Sequence, residues 1–218
     1  LEADDPVFQG EKCSVLVPES YGSYIYSWPS KYDQIFWPLT DENGIWFCYN
    51  SGVTAFIDDF SGLSSEEVKR IKSYLEKHPP KNQDINTKLE LLEKIYALRD
   101  TDDTFKNKFL RVLARWHQQL GNNDKANIYR DAAFRGIQSS LKGKLSEINR
   151  LEYLYLAANY SRQFGEVEQS DTYLAELTSY MEATQSEEAK GYSEYLREFI
   201  SDTKLIKIGG KLDPELSE

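Results

Sequence analysis

The sequence is poor in the residue types that most often carry chemistry. Its 218 residues include two histidines, two cysteines and a single methionine, Met181. Two sulfurs without a nearby imidazole cannot close a tetrahedral structural zinc site, and no metal or other cofactor is expected. There is no phosphate-binding glycine loop, G-x-S-x-G elbow or H-E-x-x-H pair, so the commonest signatures of nucleotide binding, serine hydrolysis and zinc proteolysis are missing. A basic surplus is missing too. Lys and Arg number 26 against 36 Asp and Glu, a net charge of −10, which argues against nucleic acid as a partner. No apolar run approaches the roughly 20 residues that cross a bilayer, so no membrane span is expected. The chain opens at Leu1 rather than Met, which predicts a trimmed start, by loss of a leader or by a chosen boundary.

What is present is enough for a packed fold. Hydrophobic residues make up 40% and charged residues 28%, and the length allows one large domain or two small ones. Residues 1–62 are aromatic and turn-rich, with Trp28, Trp37 and Trp46 among many Tyr and Phe, and with Pro6, Pro18, Pro29 and Pro38 breaking any long helix. Ser23–Trp28 and Ile45–Tyr49 have strand character, the second introduced by the turn-like Asp41-Glu42-Asn43-Gly44. This region reads as a small β-containing lobe that needs a staple or a neighbour.

From Ser64 the hydrophobic period becomes helical. Ser64-Ser65-Glu66-Glu67 is a capping box, and the helix it starts should stop before His78-Pro79-Pro80. Further helices are expected over 85–98, 103–120, 124–141, 145–164, 167–183 and 186–203, with a frayed tail from Gly209. The division is therefore 1–62 lobe, 63–208 helical domain and 209–218 tail. The fold class is mainly α, an antiparallel helix array carrying a small irregular β-containing lobe.

The helical part repeats itself. Phe109–Trp116 aligns with Tyr153–Tyr160, 44 residues on, and the same offset puts Leu120-Gly121 on Phe164-Gly165, Ala126 on Ser170 and Tyr129 on Tyr173. A helix with a small residue at its middle, an apolar-Gly stop and a second helix resembles the tetratricopeptide (TPR) hairpin, though the period exceeds the usual 34. Stacked hairpins present a concave face to peptides or proteins. The competing reading is an irregular α-bundle whose repeat is a relic.

Cys13 and Cys48 fit a disulfide in an oxidising compartment or two buried thiols equally well. Cys13-Ser14-Val15-Leu16 and Cys48-Tyr49-Asn50-Ser51-Gly52 each look like a C-x-x-C knuckle whose second cysteine is replaced, by Leu16 and by Ser51. With the stretch from Lys31 through Phe60, with Leu113-Ala114-Arg115-Trp116 through Arg130-Asp131-Ala132-Ala133, and with Leu151–Leu156, the chain resembles a bacterial family of unknown function. Its members carry two CPxC-G knuckles in an aromatic N-terminal region, followed by a TPR-like helical domain. The resemblance implies a fold and no known activity. It also implies that Cys13 and Cys48 are neighbours, because the two knuckles of the family face each other. A bond between them would close a loop of about 35 residues, worth roughly 4 kcal/mol on a chain-entropy account, and would point to export.

Other candidates read as structural. His78 suits a helix end and His117 a partly buried helix position. Asp41-Glu42 suits a plain turn, and Asp58-Asp59 precedes a helix start. Asn159-Tyr160-Ser161 is a formal glycosylation sequon at a packed mid-helix position. Tyr21, Tyr24, Trp28 and Tyr32 come from the least regular aromatic stretch and are the candidate partner contacts. The sequence therefore points to a non-enzymatic protein-binding scaffold in an envelope or periplasmic assembly. Its alternatives are a structural subunit of an exported filament or flagellar sheath, and a metal- or cysteine-dependent hydrolase. A cytoplasmic address is the alternative to export.

Overall fold

A computed structural model describes residues 2–15, 17, 28–57, 59–80 and 82–212, with backbone alone at 28 and 29. It is mainly helical with short antiparallel strands near the N-terminus, as expected. The chain forms two compact units, Leu1–Ile25 with Phe36–Lys106, and Tyr26–Ile35 with Asn107–Glu218. The boundary expected at 62/63 is therefore replaced by one at 106/107, and residues 26–35 leave the lobe for the second unit.

The first unit is built from two hairpins and two helices. Strands β1 (Glu2–Asp4) and β2 (Lys12–Ser14) pair with Ala3 opposite Cys13, and β3 (Ile45–Phe47) and β4 (Thr54–Phe56) pair with Trp46 opposite Ala55. Helix α1 (Trp28–Asp33) lies between them in sequence. It replaces the end of the strand expected over 23–28, since Trp28 is helical; residues 23–27 lie outside the described residues. Helix α2 (Ser65–Lys77) starts at the expected capping box, and α3 (Ile85–Ala97) starts at Asp84, whose carboxylate accepts the Thr87 N–H at 2.8 Å. Two-stranded hairpins cannot enclose a core alone. Ile71 and Leu75 of α2 and Leu91 and Ile95 of α3 complete one with Val7, Val15, Phe47 and Val53. That shared core is why these two helices belong to the lobe.

Glu67 ties the corner of this unit. Its carboxylate accepts from Ser64 N at 2.7 Å and from Asp100 N at 2.9 Å, while its own N–H donates to Ser64 Oγ at 3.2 Å. These backbone donors, Ser64 first, hold its pKa down at about 2 against an ordinary 4.5. The ionised form is therefore favoured by folding. Its contribution is complete above pH 4.5 and lost as the pH falls toward 2. Denaturant unfolding followed between these limits should show that decline, and Glu67→Gln should flatten it; an unchanged slope would contradict the assignment.

The second unit holds α4 (Asp103–Gln119, from Asn107 onward), α5 (Asn123–Leu141), α6 (Glu147–Phe164), α7 (Val167–Ala183) and α8 (Glu187–Arg197). Helix α6 is enclosed on every side: Leu151 and each residue from Tyr153 through Ser161 is at most 2% exposed. Near-continuous apolarity, rather than one apolar stripe, is what such a position requires. The last helix stops earlier than expected. A 3₁₀ segment, Ile200–Leu205, follows it, where Thr203 Oγ1 donates to Asn159 Oδ1 at 2.7 Å and Asp202 accepts from Tyr32. Nor is the start of the expected tail frayed: Gly209 N donates to Gln163 O at 2.7 Å, Leu212 N to Gln118 Oε1 at 3.0 Å, and Leu212 is buried. Residues 213–218 lie outside the described residues.

The 44-residue repeat is written into the backbone. Gly121 and Gly165 both adopt positive φ, +76° and +88°. Asn122 N donates to His117 O and Glu166 N to Ser161 O, each at 2.8 Å; Gly121 N to Gln118 O and Gly165 N to Arg162 O, each at 3.1 Å. These are two copies of a Schellman cap at one offset. Ala114 and Ala158 are both buried, as are Ala126 and Ser170. The copies differ in crowding. A Cβ at Gly165 would meet Ile208 Cγ2 at 3.2 Å, whereas none would be met at Gly121 within 4 Å. Gly121→Ala should therefore destabilise by about 1 kcal/mol through conformation alone, and Gly165→Ala by more, about 2 kcal/mol. Thermal melts of the pair give the comparison, and a reversed order would refute it.

Candidate binding surfaces and a buried clamp

Of the four aromatic residues expected to meet a partner, Tyr32 has a described side chain. Tyr21 and Tyr24 lie outside the described residues, as does the side chain of Trp28. Tyr32 is a core residue, fully buried, with its hydroxyl donating to Asp202 Oδ2 at 2.9 Å. It is an interior anchor and not the surface contact expected. Burial follows because the short α1 places it against α6.

Around Tyr32 the second unit grips residues 30–35 much as a receptor grips a peptide. Asn159 Nδ2 donates to Tyr32 O at 2.9 Å, and Arg111 Nη1 to Asp33 O at 3.0 Å. Arg115 holds the Asp33 carboxylate through Nε at 2.7 Å and Nη2 at 2.5 Å. Tyr192 OH donates to Gln34 Oε1 at 3.0 Å. The Asp33 side chain also accepts Ile35 N at 3.0 Å, an Asx turn that carries Gln34 to a φ of +55°. Arg111 is further paired to Glu152 at 2.7 Å, and Arg130 reaches Gln118 at 2.7 Å. Asn107, Arg111, Arg115 and Gln118 recur at helical spacing along one buried stripe of α4. That stripe was the available sequence signal for the clamp, and it lacked only a reason to be buried.

In the first unit Cys13 and Cys48 lie at disulfide distance, Sγ to Sγ 1.97 Å, and both are 1% exposed. Asp5 sits against them, Oδ2 to Cys13 Sγ being 3.8 Å. One acceptor atom from each of the three falls within 4.8 Å of the others, a grouping of metal-ligand type. Its donors are engaged, though. The sulfurs bond each other, and Asp5 accepts from Ser51 Oγ at 2.5 Å, Val7 N at 2.8 Å and Phe8 N at 2.9 Å. Ser51 thus serves as a hydrogen-bond bridge, donating to Asp5 and accepting from Val53 N at 3.2 Å.

The remaining candidates are structural. His78 terminates α2, with Nδ1 2.9 Å from Tyr74 O, and stacks on Tyr74; His117 is buried and stacks on Tyr129. Asp41 caps the turn at Asn43 N, and Glu42 pairs with Lys88 at 2.6 Å. Asp59 holds Arg99 through two contacts, 2.6 and 3.0 Å, and accepts from Tyr96. Burial, with the Asp59 charge second, raises the Tyr96 hydroxyl above its ordinary range. Asp58 lies outside the described residues.

No protein-family model matches the chain, and no curated protein or solved structure does either. None of the described helices is long and apolar enough to cross a membrane.

An open groove of about 920 Å³ runs along α5 and the α6–α7 turn. Phe134, Phe164 and Val167 form its apolar lining, and Asp131, Arg135, Glu166 and Glu168 its charged edge. Its walls come from positions with no distinguishing sequence signal, the same residue types that serve elsewhere as ordinary helix surface.

Proposed function

We propose that this protein is a non-enzymatic protein-binding subunit that presents its helical unit to a partner within a larger assembly. The open groove on α5–α7 carries this reading: it is wide, mixed in polarity and shaped by two capped helix pairs rather than by a catalytic cluster. The doubled cap also supports a TPR-like use of the repeat. A cysteine-dependent hydrolase would need a thiolate, and both sulfurs are bonded to each other. The same pairing supports an exported, periplasmic setting and the kinship with the knuckle-bearing family.

Crosslinking the tagged full chain in its native host, followed by mass spectrometry, is the test. The expected result is a fixed set of partners in constant stoichiometry. Recovery of the chain alone as a monomer would overturn the proposal. For export, alkylation at the moment of extraction should leave Cys13 and Cys48 unmodified; labelling of both would place the protein in a reducing compartment.

A further inference from the structure

We infer that the α5–α7 groove takes a basic, apolar protein segment, seating an aliphatic or aromatic side chain on Phe134 and Phe164 and placing Lys or Arg beside Glu166 and Glu168. This rests on the protein-binding proposal above and specifies the partner's chemistry at that site.

The charge balance of the groove carries the inference. Arg135 is already engaged by Asp131 one turn away on α5, so that pair cancels. Glu166 and Glu168 are exposed and have no ion-pair partner among the described residues. Glu166 is the N-cap residue of α7 but makes no side-chain capping bond, so the helix does not consume its carboxylate. The α7 N-terminus supplies about half a positive charge against these two negatives, leaving the rim negative by more than one unit. An acidic segment is therefore repelled and a basic one attracted.

The apolar half of the surface extends past the groove. Ile128 is 66% exposed and lies one turn before Asp131 on the same face of α5. Ile208 is 64% exposed and approaches Gly165, which lines the groove. Two large exposed aliphatics thus lie beside a groove lined by Phe164 and Val167, with Phe134 beneath them in the core, and exposed apolar side chains gathered in this way mark partner sites. A second copy of this chain fits poorly as occupant, because two molecules each of net charge −10 repel.

The test places photoreactive p-benzoylphenylalanine at Ile128 in the full chain, expressed in the native host. Irradiation and peptide mapping then identify the segment captured. The expected segment is net basic with at least one large apolar residue, and Glu166→Lys with Glu168→Lys should weaken its capture roughly tenfold. Circular dichroism of that double variant, with the salt dependence of capture by the parent chain, separates a charge effect from misfolding. Capture of an acidic or neutral segment, capture of a second copy, or indifference to charge reversal would each overturn the basic-segment assignment while leaving the protein-binding proposal standing. No capture at Ile128, with partners crosslinking to other positions, would overturn the groove as the site. No partner by either route would overturn both.

Discussion

Replacing Asp33 with alanine should destabilise the second unit by about 3–5 kcal/mol, the range for breaking one side of a buried ion pair. Arg111, Arg115 and Arg130 are all at most 3% exposed, and Asp33 and Glu152 are the carboxylates that face them. Losing Asp33 leaves three buried guanidiniums against one carboxylate. Exchanging both partners, Asp33→Ala with Arg115→Met, should recover more than half of the loss, because the balance returns to one guanidinium in excess, as in the parent chain. Asp33→Asn separates two roles: it can still accept Ile35 N and keep the turn, yet it gives Arg115 no charge. Chemical denaturation with hydrogen exchange mapped to α4 and α6 gives the readout. A loss below 1 kcal/mol for Asp33→Ala would show that the clamp contributes little.

The second large effect is expected at the sulfurs. Cys13→Ser with Cys48→Ser should destabilise the first unit by roughly 4 kcal/mol, since the bridge closes a loop across a sequence separation of 35. In a unit whose strands are three residues each, that is a large share of total stability. Exchange should quicken at Val7, Val15 and Phe47 while α6 stays protected. Equal loosening of α6 would show that the two units unfold together. Unchanged exchange in the hairpins would mean that packing on α2 and α3 suffices without the bridge.

Much of the helical layout was legible because its signals are local. Ser64 with Glu67 fixes the start of α2, and the apolar-Gly pairs at 120–121 and 164–165 fix two stops; each acts within a turn of chain. The groupings were not legible, because they depend on partners far away. Nothing local marks Arg115 for burial, since its partner Asp33 lies 82 residues earlier. Tyr32 reads as a partner contact until α6 is seen to cover it. Helices α2 and α3 were assigned to the array by period alone, yet their apolar faces close the core of the strand lobe. The groove was missed for a related reason: Asp131, Arg135, Glu166 and Glu168 are ordinary surface residues, and only folding sets them along one wall.

The course of the chain has a consequence for biogenesis. Residues 26–35 belong to the second unit, but the residues on both sides of them belong to the first. Their anchors, Arg111, Arg115, Asn159, Tyr192 and Asp202, emerge from the ribosome between about 80 and 170 residues later. Tyr32 and Asp33 must therefore wait for these partners until α4, α6 and the segment after α8 have been made. A nascent chain halted after residue 106 would expose this arm with nothing to receive it, at the stage when unpaired apolar segments aggregate or recruit chaperones. The same delay keeps the second unit unfolded, and its arm open to capture, until α6 and α8 have been made.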